Sequence, residues 1–183
     1  MAFPDFHAAF GRHLVDSWAL GLSVGVAIGD VDNLKYYVEN SNSTDPESFG
    51  HLAGNALMAR FGELCAVWFR EQPFPAGCVS TFGGDEVIIA AVVTQAAAFQ
   101  PAIAVLRDRC RQWLPCAVSF GLTVVAPDLA GLGEHHHAPL QVANLVLAGV
   151  DKALFACKSA RGNGGGLCTP VDLGSKATGH GFS

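Results

Sequence analysis

The sequence predicts an α+β fold, one mainly antiparallel sheet with helices packed on it, and three observations carry that prediction. Two apolar runs, Cys78 to Phe82 and Val87 to Val93, meet at Gly83-Gly84-Asp85-Glu86, the layout of a hairpin with its tip at the glycines. Two further runs rich in branched residues, Leu22 to Ile28 and Ala117 to Val125, have strand length. Between and around them, longer segments repeat apolar residues at helical spacing, so sheet and helices have faces to bury against each other.

The first helix runs from Pro4 to Leu20, with Phe6, Phe10, Leu14 and Trp18 near one face and Gly21 as its stop. The strand that follows ends in Gly29-Asp30-Val31-Asp32 and so delivers two acids to one rim. Between Lys35 and Gly50 the stretch Glu39-Asn40-Ser41-Asn42-Ser43-Thr44-Asp45-Pro46 has turn chemistry and is expected to form an exposed loop. Ser48 is a candidate cap for the next helix, in which Leu57, Phe61, Leu64 and Trp68 recur at spacings of four and three before Pro73 and Pro75 end it. After the hairpin, Phe99, Ile103, Leu106, Cys110 and Trp113 outline another helix. Following the strand over 117–125, a last helix carries Leu140, Ala143, Leu147, Val150, Leu154 and Cys157 as one stripe and closes at Gly162, Gly164, Gly165 and Gly166.

Half of the 183 residues are apolar and only 15% are charged. With a mean hydropathy of +0.32, such a chain can bury a core, and the composition excludes a disordered chain. The organisation expected is a single domain over 1–174, its leading helix within 1–20, and a flexible tail over 175–183, with no internal repeat and no accompanying sensory module. A net charge of −5, from 11 Lys+Arg against 16 Asp+Glu, disfavours long nucleic acid as the main partner, because affinity for a phosphate track comes from clustered cations. The run over 87–99 is interrupted by Thr94 and Gln95 and falls short of the roughly 20 apolar residues a spanning helix needs, so no membrane association is expected. Six cysteines without a C-x-x-C pair read as core fillers in a reduced, cytoplasmic setting.

The acids carry the chemistry. If the strands bearing Asp30, Asp32, Asp85 and Glu86 are neighbours, up to four carboxylates converge, and their repulsion favours raised pKa values or a bound divalent cation with hard oxygen ligands, Mg²⁺ or Mn²⁺. Gly83 and Gly84 remove side chains beside them, which lets a flat base or a phosphate approach the backbone. Solvated acids at strand ends are the plain alternative. His135-His136-His137 reads as an exposed loop, since three consecutive residues cannot all face one ion on a regular element.

At this point the chain resembles the GGDEF-type nucleotidyl cyclases, usually diguanylate cyclases, along nearly its whole length. Asp30-Val31-Asp32-Asn33-Leu34-Lys35 is similar to the family's first metal-binding motif and Gly50-His51-Leu52-Ala53-Gly54-Asn55 to its Gly-His-x-x-Gly-Asp helix start, where His51 reads as a structural residue. The signature stands as Gly83-Gly84-Asp85-Glu86-Val87; Val118-Ser119-Phe120-Gly121-Leu122-Thr123 matches a later strand and Asp151-Lys152-Ala153-Leu154-Phe155-Ala156-Cys157-Lys158 the final helix.

The resemblance implies a palm-like, ferredoxin-like domain in which two nucleoside triphosphates, one on each subunit of a homodimer, are joined into a cyclic dinucleotide second messenger with release of pyrophosphate. GTP, giving cyclic di-GMP, is the family default. Asp30, Asp85 and the Val31 carbonyl would carry the metals, with Glu86 as a further ligand or the group activating the 3′-hydroxyl. Backbone amides of Asn33, Leu34 and Lys35 would cradle the terminal phosphates beside Gly83 and Gly84, aided by Lys158 and Arg161. Cations near a helix C-terminus are the plain reading of the last two.

Departures from the pattern keep the base open. Asn55 stands where the family has an acid that reads guanine, and an amide can pair with the adenine edge instead. Val38 occupies the ungapped position of the family's base-reading Asn, and Arg161-Gly162-Asn163 inverts the order Gly-Arg-Asn. Arg70-Glu71-Gln72-Pro73 lacks the Arg-x-x-Asp of the inhibitory product site. Two alternatives follow: a polymerase akin to the palm domains of CRISPR-type polymerases, making cyclic adenylates from ATP in antiviral defence, and a catalytically inactive nucleotide-binding receptor or scaffold.

Overall fold

The computed structural model describes residues 3–44, 50–82, 84–127, 139–161 and 166–169. The elements run α1 (Phe3–Ala19), β1 (Ser23–Val31), α2 (Leu34–Thr44), α3 (Gly50–Arg70), β2 (Gly77–Phe82), β3 (Glu86–Val93), α4 (Ala96–Trp113), β4 (Val118–Val125), α5 (Pro139–Arg161) and β5 (Leu167–Cys168). The five strands form one sheet in the order β2-β3-β1-β4-β5. All pairings are antiparallel except the short parallel contact of β4 with β5. The expected α+β architecture is the one observed.

β1 is central and apolar on both faces because helices cover both. Side chains alternate along a strand. Val24, Val26 and Ile28 therefore join Phe10 and Leu14 of α1 and Val142, Val146, Val150 and Leu154 of α5 in one buried cluster. Ala27 and Val31 join Leu57, Phe61 and Trp68 of α3 and Phe99, Ile103 and Leu106 of α4 in the other. The result is three layers, α1/α5, sheet and α3/α4, with every β1 carbon side chain from Val24 to Ile28 out of water.

Several expectations are corrected. The polar stretch after Lys35 is not a loop over its described part: α2 continues to Thr44. Its first turn is held by the Tyr37 N–H donating to the Asn33 carbonyl at 3.0 Å, and Leu34 and Tyr37 pack on the core. Ser41 donates its hydroxyl back to the Tyr37 carbonyl at 2.9 Å, so a residue with turn chemistry is satisfied inside a helix. Packing overrides propensity here. Residues 45–49, with Ser48, and the three consecutive histidines lie outside the described residues, as does the tail.

Trp113 and Leu140 do not share the buried stripes of their helices; they are 66% and 49% exposed. Of the cysteines, all free, Cys65, Cys110 and Cys157 are buried as expected, but Cys78 is exposed. It sits on β2, the sheet's outer strand. α5 is long and apolar enough by composition to cross a membrane, a feature the sequence reading placed nowhere. Its apolar stripe is spent on the sheet and on α1.

Candidate functional site

Register brings the acids together. Asp30 pairs with Glu86 across β1 and β3. By strand alternation Asp30 shares the face of Val24, Val26 and Ile28, and Glu86 that of Ile88 and Ala90, which is the face covered by α5. Both carboxylates thus rise toward the same helix at the end of the sheet. The Val31 N–H points to the Asp85 carbonyl at 3.4 Å and ties the hairpin tip to the end of β1. At that tip Gly84 has φ +106, a conformation that residues with a side chain avoid, and nothing lies within 4 Å of where its Cβ would be.

α5 supplies the cation. Lys158 Nζ lies 2.5 Å from Asp30 Oδ1 and 3.8 Å from Asp32 Oδ1. Its height over the sheet is set by Gly121 on β4. A Cβ there would lie 2.6 Å from the Leu154 nitrogen and closer still to the Val150 carbonyl oxygen, so the missing side chain lets α5 descend onto the strand one turn before Lys158.

Asp32 adjoins the cluster from its buried side, with its charge adding to the rise of Asp30 and its Oδ1 3.8 Å from Lys158 Nζ. It is 4% exposed. Its Oδ2 accepts from the Ser119 hydroxyl at 2.9 Å, and that hydroxyl oxygen accepts from the Gly166 N–H at 3.2 Å. The Asp32 N–H donates to the Ala117 carbonyl at 2.9 Å. Asp32 therefore anchors the ends of β1, β4 and β5 from below, and the reactive rim is left to Asp30, Asp85 and Glu86. Ser119, a polar residue inside an apolar strand, was the available sequence signal for this anchor.

The rim is undercompensated. Burial raises the Asp30 carboxyl above its ordinary value, against the lowering pull of the Lys158 hydrogen bond and charge. Glu86 is pushed up to about 7, by burial first and then by the charges of Asp30, Asp85 and Asp151, with Lys158 opposing. Asp151 on α5 is a contributor that sequence reasoning missed. Nothing in a linear motif shows that its helix runs past Glu86.

A pH dependence follows. Glu86 binds its proton more tightly folded than unfolded, so its contribution to stability falls as pH rises from the ordinary carboxylate range through about 7, and is restored on acidification. In EDTA, Glu86→Gln is expected to melt above the wild type at pH 7.5, with the gap closing by pH 5. Thermal melts of both proteins at the two pH values measure it, and a gap that ignores pH would refute the assignment.

The donor chemistry fits a hard divalent cation: carboxylate oxygens of Asp30 and Glu86 on one face, their pKa values raised by burial. Among the described residues no three acid, His or Cys side chains are gathered into a ready cage. The other predicted residues are more scattered. Asn33, at φ +59, forms the turn between β1 and α2. Leu34 is turned into the core rather than toward the rim. Lys35 is exposed, its Nζ 3.8 Å from Glu39 Oε1. Asn55 stands exposed on the second turn of α3, apart from the acids. Arg161 ends α5, one turn beyond Lys158, and its side chain and Gly83 lie outside the described residues.

No family model matches the chain, and no curated protein matches it at a significant level. Solved structures do match in fold. The active GGEEF domain of a diguanylate cyclase from Vibrio cholerae superposes with a TM-score of 0.67 at 18% identity, covering 92% of this chain and 96% of that one. The GGDEF domain of DgcB from Caulobacter crescentus, in complex with c-di-GMP, gives 0.63 at 17% identity, covering 88% and 87%. A microbial GGDEF domain that interacts with cyclic di-GMP gives 0.60 at 22% identity, covering 87% and 85%. The chain has the fold of these GGDEF and GGEEF domains, as the motifs led one to expect.

Proposed function

We propose that this protein is a metal-dependent nucleotidyltransferase that joins two nucleoside triphosphates into a cyclic dinucleotide. The observation that carries the proposal is the register pairing of Asp30 with Glu86 under Lys158, at a Gly83-Gly84-Asp85-Glu86 tip, within the fold of the GGDEF domains. Asp30, Asp85, Glu86 and the Val31 carbonyl would hold Mg²⁺ or Mn²⁺. When bound, such ions acidify the attacking hydroxyl and neutralise the departing pyrophosphate.

The chain's own groups do the rest. Amides of the turn 33–35 hold the terminal phosphates, helped by Arg161. Lys158, beside Asp30, offsets the charge that builds at the α-phosphate. Glu86 serves either as a further ligand of the cation or as the group that accepts the proton of the 3′-hydroxyl. The 3′-oxygen of one nucleotide bonds to the α-phosphorus of the other, and the bond from that phosphorus to the β-phosphate breaks, releasing pyrophosphate. A second such step closes the ring. As the resemblance implies, each chain would offer half of the centre and a second copy the other half. Asn55 is the proposed reader of the base, which admits ATP as well as GTP.

Mass spectrometry of the product formed from an equimolar mixture of the four triphosphates with Mg²⁺ tests this. A nuclease P1-sensitive cyclic dinucleotide is expected, and its composition names the base. Larger cyclic adenylates would point to the CRISPR-type polymerase reading. No product, with tight calorimetric binding of a triphosphate, would replace the enzyme with a receptor.

A further inference from the structure

β2 (Gly77–Phe82) is the outer strand of the sheet, and among the described residues no strand pairs with its far side. The alternation of its hydrogen bonds shows which groups are left open. The Val92 N–H donates to the Ala76 carbonyl at 2.8 Å, and these two residues continue the register in which Gly77 faces Ala91 and Cys78 faces Ala90. In an antiparallel ladder every second residue turns its N–H and C=O to a given neighbour. Cys78, Ser80 and Phe82 therefore bond to β3, while Gly77, Val79 and Thr81 turn their backbone groups away from it. The Val31 N–H, directed at the Asp85 carbonyl, gives β3 the matching alternation on its β1 side.

Edges of this kind are usually blunted by a charged side chain, a proline, a bulge or shortness. β5, at the opposite edge, has two residues. β2 has six, none of them charged and none proline, and its register with β3 runs without a bulge. Gly77, Cys78 and Thr81 are exposed, and Val79 and Ser80 are half-buried. The edge is also self-complementary. Turned about a two-fold axis at Val79, a second β2 sets Val79 opposite Val79, Gly77 opposite Thr81 and Cys78 opposite Ser80, so that outward N–H groups meet outward carbonyls. An uncharged strand meets its own image there without repulsion, and the β-branched Val79 pairs with itself. A foreign peptide strand would draw its specificity from side-chain pockets beside the edge. The clefts at α2 and between α3 and α4 contain no residue of β2.

We propose that the β2 edge binds a second copy of this chain, antiparallel and in this register, joining two sheets into one. β2 enters the Gly84-Asp85 tip from its C-terminal end, so the two acid rims come to lie at opposite ends of the joined sheet. The contact is therefore distinct from one in which two copies share a reacting centre, and it does not depend on the cyclase reading. A short backbone edge is a small interface, so a reversible, concentration-dependent dimer is expected.

The test combines sedimentation of the full chain over a range of concentrations with a thiol bridge that reads the register. Ser80→Cys puts a thiol opposite Cys78 of the second copy, in a non-hydrogen-bonded pair whose Cα atoms lie about 4.5 Å apart, within reach of a disulfide. Mild oxidation should give a covalent dimer whose bridge maps to positions 78 and 80. The wild type should give none through Cys78, since its two copies stand diagonally, about 7–8 Å apart. Val79→Pro removes an outward N–H and spares the ladder with β3, so it should weaken dimerisation about tenfold or more in a folded chain.

A chain that stays monomeric at every concentration would overturn the proposal, as would a dimer that Val79→Pro leaves unchanged or one that lacks the bridge in Ser80→Cys. So would a monomer whose amides at 77, 79 and 81 already resist hydrogen exchange, because another segment of the same chain would then hold the edge. If Val79→Pro does not fold, the bridge alone decides. None of these results bears on product formation.

Discussion

Asp85→Ala and Asp30→Asn should each lower formation of the cyclic product by about a thousandfold or more, while the variants remain folded. The magnitude is that of several kcal/mol of transition-state charge stabilisation, each ~1.4 kcal/mol being tenfold in rate. Asp85 is exposed at the hairpin tip, so its side chain contributes little to the core. Asp30 is different, because Lys158 is its ion-pair partner. Yet the Lys158 side chain is 33% exposed and can regain water when the carboxylate is lost. The Asp30 carboxyl is itself held above its ordinary pKa by burial, so neutralising it removes a desolvation penalty along with the pair. Initial rates with saturating triphosphate, alongside melting curves, separate the two effects. A rate loss under tenfold at full saturation for both variants would mean that the acid rim is not the reacting centre.

Gly121→Val is expected to destabilise the protein by about 3 kcal/mol or more. Overpacking a close-packed interior costs ~1–3 kcal/mol when side chains can move aside. Here the obstruction is backbone, the Val150 carbonyl and the Leu154 nitrogen of α5, and neither can rotate away. Relief requires lifting α5 off β4, which also withdraws Lys158 from Asp30. Gly62→Ala is the control. Its Cβ would meet Thr81 Cγ2 at 3.5 Å, ordinary contact, inside α3. Alanine is favoured over glycine in a helix by ~1 kcal/mol, so this variant should be as stable as the wild type or more so. Urea denaturation of both measures the contrast. Similar midpoints for Gly121→Val and the wild type would show that α5 does not rest on this strand.

Much of this arrangement was legible in the chain because it is written in local patterns. The period-two runs, the glycine tip and the helical stripes of Phe99 to Cys110 and Ala143 to Cys157 each follow from short-range geometry. The short strand Leu167–Cys168 was missed because two residues carry no period, and it exists only through its parallel contact with Phe120 and Gly121. α2 was missed because Asn40 to Ser43 favour turns in isolation, while Leu34 and Tyr37 tie the helix to a core formed by distant residues.

By itself the sequence determined the fold class, the two acid-bearing strand ends and the residues of the rim, since these depend on residue identity and spacing. The tertiary structure alone decided which acids share a face. Asp30 and Asp32 are two apart and look equivalent on paper. Register with β3 sets Asp30 opposite Glu86, whereas the Ser119 hydroxyl, 87 positions away, draws Asp32 out of the solvent. Their difference is a matter of dielectric surroundings and hydrogen-bond partners, and those come from segments far apart in the chain.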